Sequence, residues 1–203
     1  IVERMDVLEF ANRFYKNLKF TDADMGNLLE SMGKWLLRGP LEKSEIVGFR
    51  GISTTVASAG GTKEEAVALM LEAMLQSPRF IYRVEKQSGD GSVLPVSEFE
   101  LASRLSYTIW GGPPDEELLK VADKGELKYP FVLQEQVDRM LKDDRAITHS
   151  SQFIYEWLNL GRLDNLRPNK DKFPRWDPAL AKDMRAETLT FFEEIVWKQN
   201  RPL

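Results

Sequence analysis

Thr62-Lys63-Glu64-Glu65-Ala66-Val67-Ala68-Leu69-Met70-Leu71-Glu72-Ala73-Met74-Leu75 is the stretch that settles the fold class. Ala66, Leu69, Met70, Ala73 and Met74 recur at spacings of three and four, the period of a helix with one apolar face. Thr62 stands three residues before Glu65, the spacing of a capping box, in which each side chain accepts a hydrogen bond from the other's backbone N–H. Gly60-Gly61 breaks the chain before this helix and Ser77-Pro78 closes it. Glu72 interrupts the apolar run, so it falls short of the roughly 20 residues that span a bilayer.

The same period continues upstream. Val7, Leu8, Ala11, Phe14, Tyr15 and Leu18 predict a helix over about 3–18. Thr21 or Asp22 caps a second, carrying Met25, Leu28, Leu29, Met32, Trp35 and Leu36 and ending at Gly39-Pro40. A third carries Ile46, Phe49, Ile52 and Val56, although Gly48 and Gly51 weaken it. Downstream, Phe80-Ile81-Tyr82-Arg83-Val84 is strand-like, and Gln87 to Ser92 is a turn or loop. Val93-Leu94-Pro95-Val96 is a candidate return strand that Pro95 confines to an edge.

Ser97 and Glu100 form a second capping box, ahead of Leu101, Ala102, Leu105, Ile109 and Trp110. Gly111-Gly112-Pro113-Pro114-Asp115 stops the chain and restarts it. Short helices then carry Leu118, Leu119 and Val121, and Val132, Leu133, Val137, Met140 and Leu141. Asp143 or Asp144 caps the next, with Ile147, Phe153, Ile154, Trp157 and Leu158. After a polar connector over 161–175, Asp177-Pro178 starts a last helix over about 178–199. Leu180, Met184, Phe191, Phe192 and Ile195 are expected on its inner face.

The expected architecture is all-α, a multi-helix orthogonal assembly of about nine helices in two lobes, with at most one small β-hairpin near 80–96. The expected organisation is a small helical module over 1–85, a loop or hairpin over 86–96, and a larger helical module over 97–203. The chain starts and stops in mid-pattern, so the larger module is expected to be truncated at its C-terminus.

Composition excludes several classes of function. The 203 residues are 42% hydrophobic and 30% charged, with a net charge of -4, which is globular rather than disordered. Acids and bases are interspersed, with no basic stripe for nucleic acid. No cysteine is present, which removes disulfides, thiolate metal sites, iron–sulfur clusters and covalently attached haem from this segment.

Few residues suggest chemistry. His149 is the single histidine, too few for a histidine-rich metal site. Glu187 and Glu194 lie seven residues apart, on one face of the last helix, and are the candidate catalytic carboxylates. Arg79, Arg83 and Arg104 are candidate anion ligands, because a guanidinium forks well onto an anion in a half-buried setting. Trp110, just before two glycines and two prolines, is a candidate ligand-binding aromatic at an exposed corner.

One resemblance covers about residues 33–203. Leu37-Arg38-Gly39-Pro40-Leu41 and Leu75-Gln76-Ser77-Pro78-Arg79-Phe80-Ile81-Tyr82-Arg83-Val84-Glu85 carry its first part. Its second part runs from Ser97 to Trp110 and on through Pro114-Asp115-Glu116-Glu117-Leu118-Leu119 and Gln136-Val137-Asp138-Arg139-Met140-Leu141. It continues through Phe153, Trp157-Leu158, Arg162-Leu163-Asp164, Arg185-Ala186-Glu187-Thr188 and Phe191-Phe192-Glu193-Glu194-Ile195. This order of residues resembles uncharacterised helical domains, the domain-of-unknown-function families 1595 and 1592, of large secreted planctomycete-type, cytochrome c-associated proteins. The resemblance implies an exported, periplasmic or extracellular, multidomain parent with c-type haem elsewhere than in this segment. It brings no catalytic residues.

Three functions are therefore expected. The first is a non-catalytic scaffold or interaction module contacting other domains or chains of a larger, redox-associated assembly, without nucleic acid or a membrane span. The second is an enzyme, a hydrolase or oxidoreductase acting on an extracellular polymer, with Glu187 and Glu194 facing a cleft lined by Tyr107, Trp110 or Trp157. The third is an anion or small-ligand binding module built on Arg79, Arg83 and Arg104.

Overall fold

The computed structural model describes residues 2, 5–83, 85 and 95–202. Among them are ten α-helices and no strand. The first five are α1 (Val7–Asn12), α2 (Asp22–Leu36), α3 (Lys43–Ser58), α4 (Lys63–Leu75) and α5 (Pro78–Ile81). The rest are α6 (Glu98–Ile109), α7 (Glu116–Asp123), α8 (Pro130–Leu141), α9 (Asp144–Trp157) and α10 (Pro178–Phe192). A 3-10 turn over Leu160–Asn165 precedes α10, and a π turn over Glu193–Lys198 continues it.

The chain folds as two compact units, one of residues 1–104 and 114–129, the other of 105–113 and 130–203. In the first, α1, α2 and α4 enclose a core of Val7, Ala11, Leu18, Met25, Leu28, Leu29, Met32, Leu36, Ala66, Val67, Met70, Leu71 and Met74. Ile46, Phe49, Ile52 and Val56 of α3 pack against it from one side, the face that their spacing predicts. Phe10, Phe14 and Trp35 meet edge-on or tilted, with the Arg13 guanidinium about 6 Å above each ring, within the range of a cation–π contact.

Local chemistry sets the helix ends where the sequence predicts them. Thr62 Oγ1 accepts from the Glu65 N–H at 3.2 Å, and Glu65 accepts from the Thr62 N–H at 2.7 Å. Ser97 and Glu100 exchange the same pair of bonds at 3.3 and 2.7 Å. Asp177 accepts from the Leu180 N–H at 2.7 Å, with Pro178 at the first helical position.

Other expectations need correction. The first helix covers only Val7–Asn12, because the chain turns through a left-handed Asn17 (φ 57°) before α2. Helix α2 ends at Leu36 and Arg38 takes the left-handed conformation (φ 59°), so the stop precedes Gly39-Pro40. Phe80-Ile81 is helical rather than extended. Ser77 accepts from the Arg79 N–H and Pro78 opens α5, so Ser77-Pro78 starts a helix as well as ending one. The expected hairpin falls largely on 84 and 86–94, outside the described residues.

The buried faces also shift. In α4, Val67 and Leu71 are buried while Leu69 is exposed. In α10 the buried residues are Ala181 and Phe192, whereas Leu180, Met184 and Phe191 are exposed. The period placed these residues on a helix, but only the neighbours decide which side is covered.

Gly111 is required by two constraints at once. Its φ is +66°, and a Cβ there would lie 2.8 Å from His149 Cε1 and 3.0 Å from Cγ. A left-handed non-glycine residue alone costs about 1–2 kcal/mol. Gly111→Ala is therefore expected to lower the thermal midpoint by about 4–8 °C. Gly112→Ala, with nothing within 4 Å of its Cβ, should leave it within about 2 °C. Parallel thermal denaturation of the two variants checks this.

Candidate functional site

Arg79 and Arg83, four residues apart, and Arg104, more distant along the chain, line one cleft of about 710 Å³ in the first unit. Arg38, Glu42, Glu85, Ser97, Phe99 and Ser103 share its wall. The loop after α2 meets the segment of α5 and Tyr82 through Arg38, and α6 joins that segment through the Arg104–Glu85 pair.

Arg38 is buried, at 7% exposure. Its guanidinium donates to the carbonyl oxygens of Arg79, Phe80 (3.2 Å) and Tyr82 (2.9 Å). These groups close a helix of four residues, whose last carbonyls have no partner within the helix. Arg79 reaches back in return. It donates to Pro40 O at 3.2 Å, to Leu37 O at 3.3 Å and to Glu45 at 2.6 Å. Glu45 also accepts from the Glu42 N–H at 2.8 Å, closing the cap of α3.

Arg104 forks onto Glu85 with two bonds of 2.6 Å. Those bonds hold the Glu85 carboxyl below its ordinary pKa and raise that of Arg104. The cleft thus brings four guanidinium groups together with Glu42, Glu85 and Glu100. It is a polar groove of alternating charge, in which Arg38 and Arg79 also hold the fold.

The second unit places the remaining candidates. Trp110 is buried rather than at an exposed corner. Its Nε1 donates to Met140 O at 2.9 Å. The Arg145 guanidinium carbon lies 3.5 Å from its ring centroid, and that of Arg139 5.6 Å. Asp143 caps α9 and accepts from the Arg145 side chain at 2.9 and 2.7 Å and from its N–H at 2.9 Å. Arg145 hydrogen bonds, side chain first and backbone second, pull the Asp143 pKa from 3.8 to about 2.

Glu187 is exposed on α10. Glu194 lies in the π turn, paired with Lys198 at 2.9 Å, and its carboxyl is held low chiefly by that hydrogen bond. The π turn itself had no signature in the sequence. It brings Trp197 Nε1 to Ser150 Oγ at 2.9 Å, while Glu193 accepts from Ser151 Oγ at 2.9 Å. Phe153 and Trp157 of α9 stack on each other with ring centroids 6.0 Å apart, at 59% and 68% exposure. No cluster of three or more metal-ligating side chains occurs among the described residues. No helix among them is long and apolar enough to cross a membrane.

The pattern of the family described as "PSD4: Protein of unknown function (DUF1592)" matches residues 96–203, more than half of the chain. The chain belongs to the DUF1592 family. The pattern of "PSD5: Protein of unknown function (DUF1595)" matches residues 25–85, so both families that the sequence resembles are found, in the expected order. No curated protein and no solved structure matches the chain. The DUF1592 match includes Trp110, Arg145 and the exposed row of α10, while Arg38 and Arg79 fall in the DUF1595 match.

Two outcomes test this geometry. Arg38→Lys loses the fork that serves three carbonyls and should cost about 2–3 kcal/mol in urea unfolding, since unsatisfied buried acceptors are expensive. Asp143 should titrate near pH 2 by NMR and return to the ordinary carboxylate range in Arg145→Gln. Because its folded pKa is depressed, its contribution to stability is present above about pH 4 and is lost as pH falls through about 2.

Proposed function

We propose that the chain is a non-catalytic helical interaction module, one contact-making part of an exported, c-type-cytochrome-associated multidomain protein. The exported and cytochrome-associated setting rests on the resemblance in sequence. The observation that carries the reading is the exposed stack of Phe153 and Trp157 on α9. Large aromatic side chains left in water at helical spacing are the mark of a surface that another chain or domain covers.

The interior of the second unit supports it. Its buried side chains include Ser106 and Gln136 beside Trp110 and Met140, while Phe131, Phe153, Trp157, Phe173 and Phe191 are exposed. Apolar surface that contributes little to the fold of the unit is available for association. A second reading, anion binding, is favoured by Arg79, Arg83 and Arg104 lining one cleft. It ranks lower because Arg79 and Arg104 are already held by Glu45 and Glu85.

Hydroxyl-radical footprinting tests the first reading. Phe153 and Trp157 should be labelled heavily in the isolated chain and protected in the protein purified at native size from its source. Equal labelling in the two samples sinks the interaction module.

A further inference from the structure

Helix α10 carries a row of mixed chemistry. Leu180, Met184, Glu187 and Phe191 follow one another at spacings of four, three and four, so they share one face. The three apolar members are 40%, 39% and 61% exposed, and Glu187 is exposed between them. Asp183, one turn earlier, is exposed beside the row. Neither Asp183 nor Glu187 pairs with a cation among the described residues. The face that α10 buries is a different one, with Ala181 and Phe192, and Arg185 beside it pairs with Asp164 at 2.7 Å.

We propose that this row is a docking seam for a basic amphipathic helix whose own apolar row is interrupted by a lysine or arginine set against Glu187; the proposal rests on the interaction-module reading above. Apolar residues at three-and-four spacing on an exposed helix accept the apolar row of a second helix. A carboxylate inside that row loses its water when the seam closes. A purely apolar partner gives nothing in exchange, whereas a cation opposite restores the lost interaction. Asp183 adds a second negative charge one turn away, so the complementary partner is basic on that flank too.

A second copy of this chain is the wrong occupant. An isologous contact along the row sets the same acidic flank against itself, and like charges across a seam are repulsive.

The test titrates the full chain with two synthetic 18-residue amphipathic peptides that share one leucine row. One has lysine at the centre of the row and the other glutamate, and binding is followed by calorimetry. The lysine peptide is expected to bind at least about tenfold more tightly, a difference of one decade in Kd. Glu187→Lys should reverse the preference, and Phe191→Ser should weaken both peptides while leaving the thermal midpoint unchanged. Equal binding of the two peptides, a preference that survives Glu187→Lys, or binding of neither overturns the proposal. So does a dimer in sedimentation that Phe191→Ser dissolves. If the proposal fails while Phe153 and Trp157 remain protected in the native-size protein, the interaction module stands without this partner. If those two are labelled in full, the underlying reading has failed instead.

Discussion

In the first unit, the guanidinium of Arg38 fixes where the chain goes after α4. Helix α5 has one turn, so its closing carbonyls must find donors elsewhere. Arg38 supplies them from a backbone position that is itself left-handed, at φ 59°. A left-handed arginine is unfavourable alone. It persists because the fork reaches three acceptors at once from a buried site, geometry that a lysine ammonium on a flexible stem does not reproduce. Arg79 then reaches back to Leu37 O, Pro40 O and Glu45, so the two arginines clasp each other's segments. The cleft at Arg79, Arg83 and Arg104 follows from that clasp.

Much of the helical scaffold was legible because its signals are local. The Thr62–Glu65 and Ser97–Glu100 boxes and the Asp177-Pro178 start are settled within four residues of chain, and the structure places all three as expected. Ser77-Pro78 has two local meanings, a stop and a start, and both are used. What the sequence could not display depends on neighbours distant along the chain. Leu69, Phe153 and Phe191 lie on helical rows but face outward, since a period gives a stripe and not its partner. The three arginines could be named singly, but the cleft they line also needs the loop of Arg38, held to Phe80 across more than forty residues of chain, and the Arg104–Glu85 pair. The π turn at Glu193–Lys198 has no composition of its own to announce it.

The second unit buries two polar side chains, Ser106 and Gln136, and leaves several large apolar ones exposed. Trp110 has the guanidinium groups of Arg145 and Arg139 near its ring and gives its N–H to a backbone carbonyl. Gln136 accepts twice from Arg139. Such a network specifies geometry and adds modest net stability. Exposed apolar rows on α9 and α10 mean that the sequence holds hydrophobic surface which the unit by itself does not use, and in the proposed interaction module association would bury it.

A row of that kind is adhesive to almost any apolar partner, and its danger is promiscuity. Glu187 limits it. A carboxylate at a seam position lowers the affinity for every partner that lacks a cation at the matching place, because the desolvation cost is uncompensated. Selectivity is a difference between affinities, so penalising wrong partners serves as well as attracting the right one. A polar residue at one seam position also fixes register, since only one alignment sets charge against charge. On this argument Met184 and Phe191 provide the adhesion, while Glu187 between them determines what is allowed to adhere and in which register.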